Sequence, residues 1–451
     1  MAFSARSYPS SRASSPLVPG WLASVPMSVE LAATLLILIP ALAAAEPAGP
    51  PALTLEEARR VALRQNADFR VAQIQVDAAL AQLRIAREFP NPTLGLSTAK
   101  ISTDGTPEGT PLGNGLFNRA YDSIASLSQL FQVAKRGLLR DAATAGVHAA
   151  EFQRADAQRL LIQAVTQDYA AALAAHEQAG VLVESAAKLR REAGIAAHRF
   201  NAGDLSASDR TRLEIAAEQD ELNSDAELAT ARAAVVALET LLGQPLPDGT
   251  TQLADSLERL LRDAPPDLEA TSAGPRPDLA SAAESVRQAE ANLALQRRQR
   301  IPDVTLSVQY ERNPPGQTNT VGVGVSLPLP LWSQFNGEIL GAQAQRAQAE
   351  AQLDKVRIQA SAEVASARVA YHEASERARR YRTSLLPKSK EATRSVSYAY
   401  EKGGASLVDL LEGERNDNAI RVASVQAEAD AVATGVALLS ALGRIDGNPA
   451  R

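Results

Sequence analysis

The sequence predicts an α+β chain in which very long helices carry a few short strands, with the whole arrangement built twice. Three observations lead there. The stretch "FNAGDLSASD" at Phe200 is matched two hundred positions later by "YEKGGASLVD" at Tyr400: Gly203 meets Gly403, Ser206 meets Ser406 and Asp209 meets Asp409. The same offset runs on through Glu214 and Glu414 to Leu242-Gly243 and Leu442-Gly443, which marks an internal duplication. Segments such as "DVTLSVQYER" alternate apolar and polar residues at the period of a strand. Finally, no proline occurs between Pro111 and Pro245, so helix can run far without a breaker.

At the amino terminus, Arg6 and Arg12 precede the apolar run Leu31 to Ala45, which ends in small residues. That pattern predicts a signal peptide over residues 1–45 cleaved after Ala45, with Met27 as a second candidate start. A helix is expected from Thr54 to Glu88, opened by the capping signal "TLEE" and stopped by "PNP" at Pro90. Two short strand-like segments follow, "TLGLSTAKIS" and "AYDSIASLSQLF", separated by a glycine- and proline-rich loop. Beyond them a helix from about Ala134 to Phe200 would span on the order of 100 Å at 1.5 Å per residue.

A glycine turn reverses the chain, and a returning helix ends at Gly243, a C-terminal cap. Residues 244–275 are rich in proline and glycine and form a connector with one short helix, Leu253 to Arg262. The second unit repeats the order: a helix from Arg276, the strand with Val304, Leu306, Val308 and Tyr310 on one face, and a strand carrying Val321, Val323, Val325, Leu327 and Leu329. Its long helix, Asn336 to Lys402, contains Pro387, which is expected to kink it without ending it. The repeats are thus residues 46–243 and 276–451.

Each strand has one apolar and one polar face, an alternation that a soluble sandwich would share; length and export favour the membrane, since each strand has about the 9 to 11 residues that cross a bilayer at a tilt. Without an apolar spanning helix, an exported chain can cross only as a closed barrel. Four strands cannot close one, because the smallest membrane barrels have about eight, so the barrel would be shared between chains.

The order of elements resembles the TolC-like outer-membrane efflux proteins over the whole mature chain. Local stretches agree: "LTLEEARRVALRQN" at Leu53, "PNPTL" at Pro90, "SQLFQVAKRG" at Ser128 and "YEKGGASLVDLLE" at Tyr400. "SQLFQVAKRG" is most similar to the heavy-metal efflux (CzcC-like) branch. The resemblance implies a homotrimer with a twelve-stranded transmembrane β-barrel in outer-membrane lipid and a coiled-coil α-barrel through the periplasm. Its partners would be a periplasmic adaptor protein and an inner-membrane pump of the resistance-nodulation-division type. Asp409 and Glu412 match the two acidic positions that ring the periplasmic aperture, where three copies would converge six carboxylates and raise the titration of some. Ala405 stands where the family often has a basic residue. Gly203, Leu205, Gly403 and Leu407 would meet the hairpin tip of the adaptor.

Composition narrows the function. The net charge of -6 argues against a nucleic-acid surface, and the absence of cysteine excludes thiolate metal sites, disulfides and cysteine nucleophiles. His148, His176, His198 and His372 have no partner at metal-ligand spacing. No cofactor, metal site or catalytic residue is expected, and the chain is not read as an enzyme. Metal cations are the expected cargo. Drug efflux, type I protein secretion and a soluble periplasmic scaffold are the alternatives.

Overall fold

The computed structural model describes residues 52–99, 122–245, 247–263, 268–269, 271–313 and 318–444. The signal peptide with Ala45, and the loop after the first strand, lie outside the described residues. The first half contains α1 (Leu55–Gln65), α2 (Ala67–Arg87), β1 (Thr93–Ala99), β2 (Asp122–Phe131), α3 (Arg136–Asn201) and α4 (Ala207–Leu242). After α5 (Leu257–Arg262) come α6 (Pro277–Arg298), β3 (Val304–Asn313), β4 (Thr318–Ser326), α7 (Asn336–Arg380), α8 (Leu386–Glu401) and α9 (Leu407–Ala441).

Thr54 opens α1 with the full capping box: its side chain accepts from the Glu57 amide at 3.3 Å, and Glu57 accepts from the Thr54 amide at 3.1 Å. The single helix expected from Thr54 to Glu88 is broken at Asn66. Its Oδ1 accepts from the Phe69 amide at 2.9 Å and starts α2, while its Nδ2 donates to the Leu241 carbonyl at 2.9 Å. A short amide side chain competes with the backbone in this way and favours a cap over a helix interior. Pro387 behaves as expected: a five-residue π-helical turn, Tyr381–Leu385, precedes it and the helix then continues as α8. The wider turn accommodates the missing amide and the ring.

The 66 residues of α3 make the longest rod, about 100 Å at 1.5 Å per residue. It packs against α2 and α4 on one side and α6 and α9 on the other, while α7 packs against α6 and α9. The end of α4 abuts the start of α2, and the end of α9 abuts the start of α6. At the first joint Gly243 is left-handed (φ 81°), and a Cβ there would lie 2.6 Å from the Gln65 carbonyl oxygen. At the second, the Arg276 guanidinium donates to the Ala441 carbonyl at 3.0 Å, and the Gly274 amide to the Leu442 carbonyl at 2.7 Å. Two short helices stacked end to end therefore run beside each long one, and the chain presents four columns.

The seams are made by small side chains. Ala58, Ala62, Ala170, Ala174 and Ala429 are buried together with Val165, Leu173, Leu238 and Leu257. Alanine lets helix backbones approach closely, which explains a core built with few aromatic residues. Tyr169 is the largest side chain in this cluster and fully buried; its hydroxyl donates to the Leu53 carbonyl at 2.7 Å. By length and composition α9 could cross a membrane, contrary to the sequence expectation, but its apolar residues form the seams against α3 and α7.

The four strands form one antiparallel sheet in the order β1-β2-β3-β4. The β2–β3 pairing, with Leu127 opposite Val308, joins the two halves of the chain.

Candidate functional site

Strand register decides what each face of the sheet presents. Leu94, Leu127, Val308 and Val323 lie in one row across the sheet, and Leu96, Ala125, Tyr310 and Val321 in the next. Because side chains alternate, the other face carries Gly95, Ser126, Gln309 and Gly322, then Ser97, Ile124, Glu311 and Thr320. The apolar rows face outward rather than into a core: Val323 is 81% exposed and Leu96 76%. A contiguous apolar sheet face without cover marks a surface that meets a partner or a lipid.

At the opposite end of the helices the chain turns at Gly203 and Gly403, both left-handed (φ 85° and 76°) and both exposed, with nothing within 4 Å of where a Cβ would stand. Leu407 is buried. It packs with Leu410, Leu213 and Ala196, and half-buried Leu205 covers the same cluster. Leu407 therefore supports the turn from within, and Val408, 49% exposed, is the apolar side chain that α9 offers outward. The sequence held this signal, since Leu407 and Leu410 are one turn apart and set the inward face.

Asp409 and Glu412 lie on the first turns of α9 and are both exposed. The Asp409 carboxylate accepts from the Ser406 hydroxyl at 2.7 Å and from the Ser406 amide at 2.9 Å. The hydroxyl first, and then the amide, hold its pKa below the usual carboxylate value. Within one chain this is the opposite of the elevation expected from crowded carboxylates, because hydrogen bonds to the charged form favour it. Asp209 makes the matching contact with Ser206 at 2.8 Å.

A cavity of about 330 Å³ lies between the two turns, lined by Glu192, Arg199, Leu205, Leu213, Tyr400 and Glu401 among others. Just above it Lys188 is ion-paired with buried Glu414, and Arg421 with Glu184 at 2.6 Å, which ties α3 to α9. Burial pushes the Glu192 carboxyl up, and its Oε2 has no hydrogen-bond partner. Of the histidines, His372 pairs with Glu269 at 3.1 Å, and His148 lies 3.8 Å from Glu284. No group of side chains suited to a metal ion is found among the described residues.

A family model described as outer membrane efflux protein matches residues 58–244 and 272–444. The chain belongs to this family. The cobalt-zinc-cadmium resistance protein CzcC of Cupriavidus metallidurans is 26% identical over 376 residues, which cover 82% of this chain and 84% of CzcC. Protein CyaE of Bordetella pertussis is 30% identical over 443 residues, 89% of each chain. Among solved structures, the Campylobacter jejuni CmeC outer membrane channel superposes with a TM-score of 0.68 at 19% identity, covering 86% of this chain and 85% of CmeC. This outer membrane efflux protein has the TolC-like fold and is the outer-membrane channel of a tripartite efflux system in a Gram-negative cell, working with adaptor and pump partners. Its family is one of channels rather than enzymes.

Proposed function

We propose that this efflux protein is a homotrimeric exit duct for metal cations, passive in itself and driven through a periplasmic adaptor by an inner-membrane pump of the resistance-nodulation-division type. The observation that carries the shared barrel is a sheet of four strands with one apolar exposed face and no partner on the outer edges of β1 and β4 among the described residues. Unpaired edges in a bilayer are costly, and closure needs about eight strands or more, so several copies must share the barrel; the three copies that the family resemblance implies give twelve strands. The similarity to a cobalt-zinc-cadmium resistance protein supports the cargo.

In the trimer, the turns of the two repeats, 46–243 and 276–451, present Gly203, Leu205 and Gly403 to the adaptor, with Val408 beside them and Leu407 holding them from behind. Asp409 and Glu412 ring the entrance and favour cations. The test has three arms. Light scattering of the detergent-solubilised protein should give three copies per particle, and a monomer would refute the shared barrel. A deletion strain should become sensitive to cobalt, zinc or cadmium, and unchanged resistance to all three would refute the metal cargo. In planar bilayers, Asp409→Ala with Glu412→Ala should reduce cation preference; unchanged selectivity would remove these residues from the entrance.

A further inference from the structure

The segment Leu327 to Trp332, "LPLPLW", follows β4 and belongs to neither the sheet nor the helical columns. Its apolar side chains stand in the open: Trp332 is 93% exposed, Leu331 66% and Leu329 64%. The base of the segment, in contrast, is fixed. Phe335 adopts a left-handed conformation (φ 56°), which is strained for a bulky residue, and packs against buried Leu293, Ile339 and Ala342. Arg300 clamps the same base, donating to the Gln334 carbonyl at 3.0 Å and to Asn336 Oδ1 at 2.7 Å. A held base under an uncovered apolar tip is a presented surface.

We infer that Leu327–Trp332 inserts into the inner leaflet of the outer membrane, at the boundary between acyl chains and phospholipid headgroups, and that the arginines beneath it meet anionic headgroup phosphates. The segment continues the lipid-facing side of the sheet: Val321, Val323, Val325, Leu327, Leu329 and Leu331 keep the alternation past the end of β4, and all are exposed. On β3 the apolar face runs from Val304 to Tyr310, roughly 20 Å along the strand. On the periplasmic side the segment carries that apolar alternation beyond the last residue of β4.

Its backbone suits a partly dry environment. Pro328 and Pro330 have no amide to leave unpaired, and the Leu331 amide bonds to the Leu329 carbonyl at 2.8 Å. Charge points to the same occupant. Arg87, Arg297 and Arg298 are exposed at this junction with no carboxylate at ion-pair distance among the described residues. Arg136 stacks over the Phe89 ring at 3.3 Å, while Asp303 is already paired with Lys135 at 2.9 Å. Tryptophan with arginine at a lipid boundary is the expected chemistry of a headgroup layer.

The chain has two tryptophans, Trp21 and Trp332, so a full-length Trp21→Phe protein reports on Trp332 alone. It would be reconstituted into vesicles of phosphatidylcholine with or without a quarter of phosphatidylglycerol, and its channel conductance checked in the same preparation. Bromine at the 6,7 positions of the acyl chains should quench Trp332 at least twofold more than bromine at 11,12, with protection from acrylamide. Brominated phosphatidylglycerol should quench more than brominated phosphatidylcholine, a difference that Arg297→Gln with Arg298→Gln should abolish. Conducting channels whose Trp332 is open to acrylamide and untouched by brominated lipid would overturn the insertion while leaving the channel assignment intact. Equal quenching by the two headgroups in the parent protein would overturn the role of the arginines.

Discussion

Adding one methyl group at Gly243 tests whether end-to-end stacking of α4 on α2 holds the column together. The left-handed backbone (φ 81°) alone costs an alanine about 1 kcal/mol. The new Cβ would also meet the Gln65 carbonyl oxygen at 2.6 Å, its carbon at 2.8 Å and the Asn66 nitrogen at 3.2 Å. These are backbone atoms that cannot swing aside, so the joint must open, at a cost of about 1–3 kcal/mol for overpacking. Opening weakens the hydrogen bond from Asn66 to the Leu241 carbonyl, worth about 1 kcal/mol more. Gly203 is the control: it has the same backbone (φ 85°), but nothing lies within 4 Å of its Cβ position. Gly243→Ala should therefore lose roughly 3–5 kcal/mol and Gly203→Ala about 1 kcal/mol. Helical circular dichroism during thermal unfolding in detergent reads the difference, at roughly 2 °C per kcal/mol for a chain this long. Equal losses in the two variants would show that the joint carries no strain and that only the turn conformation matters.

Glu239 is fully buried, and its carboxylate accepts from the Asp248, Gly249 and Thr251 amides and from the Thr251 hydroxyl, all within 3.1 Å. Glu239→Gln turns one acceptor into a donor facing donors and should cost about 2–4 kcal/mol, with faster hydrogen exchange across 248–251; unchanged exchange would refute the clamp. Lys188→Met should strand buried Glu414 beside Glu192 and destabilise the chain by about 3 kcal/mol at pH 7. The loss should shrink as pH falls, because burial raises the Glu192 carboxyl and its protonation relieves the pair, and a loss independent of pH would point to packing instead. Because the folded pKa of Asp409 is lowered, the stability that its cap supplies is present above the ordinary carboxylate value and lost as pH falls through the lowered one. Ser406→Ala should move that titration upward in carbon-13 carboxyl spectra, and an unmoved midpoint would assign the shift to something other than the cap.

Much of this protein is legible in its sequence because the signals are local. Glycine at 203, 243, 403 and 443 announces left-handed turns and caps, and Ser206 and Ser406 announce helix starts, since each depends on the conformation of a few neighbouring residues. Strand alternation foretold which side chains share a face, and the faces are where it put them. Asn66 was missed inside an otherwise helical pattern, because its cap is completed by a carbonyl 175 residues away.

What the sequence determined by itself is the list of elements, their faces and the points where the backbone reverses, all set by periodicity and backbone sterics within a few residues. Only the tertiary structure decided that β2 pairs with β3 across the halves, that Leu407 turns inward while Val408 turns out, and that Trp332 is left uncovered. Those outcomes depend on which distant element arrives beside each residue, and a helical or strand period is the same whatever lies against it.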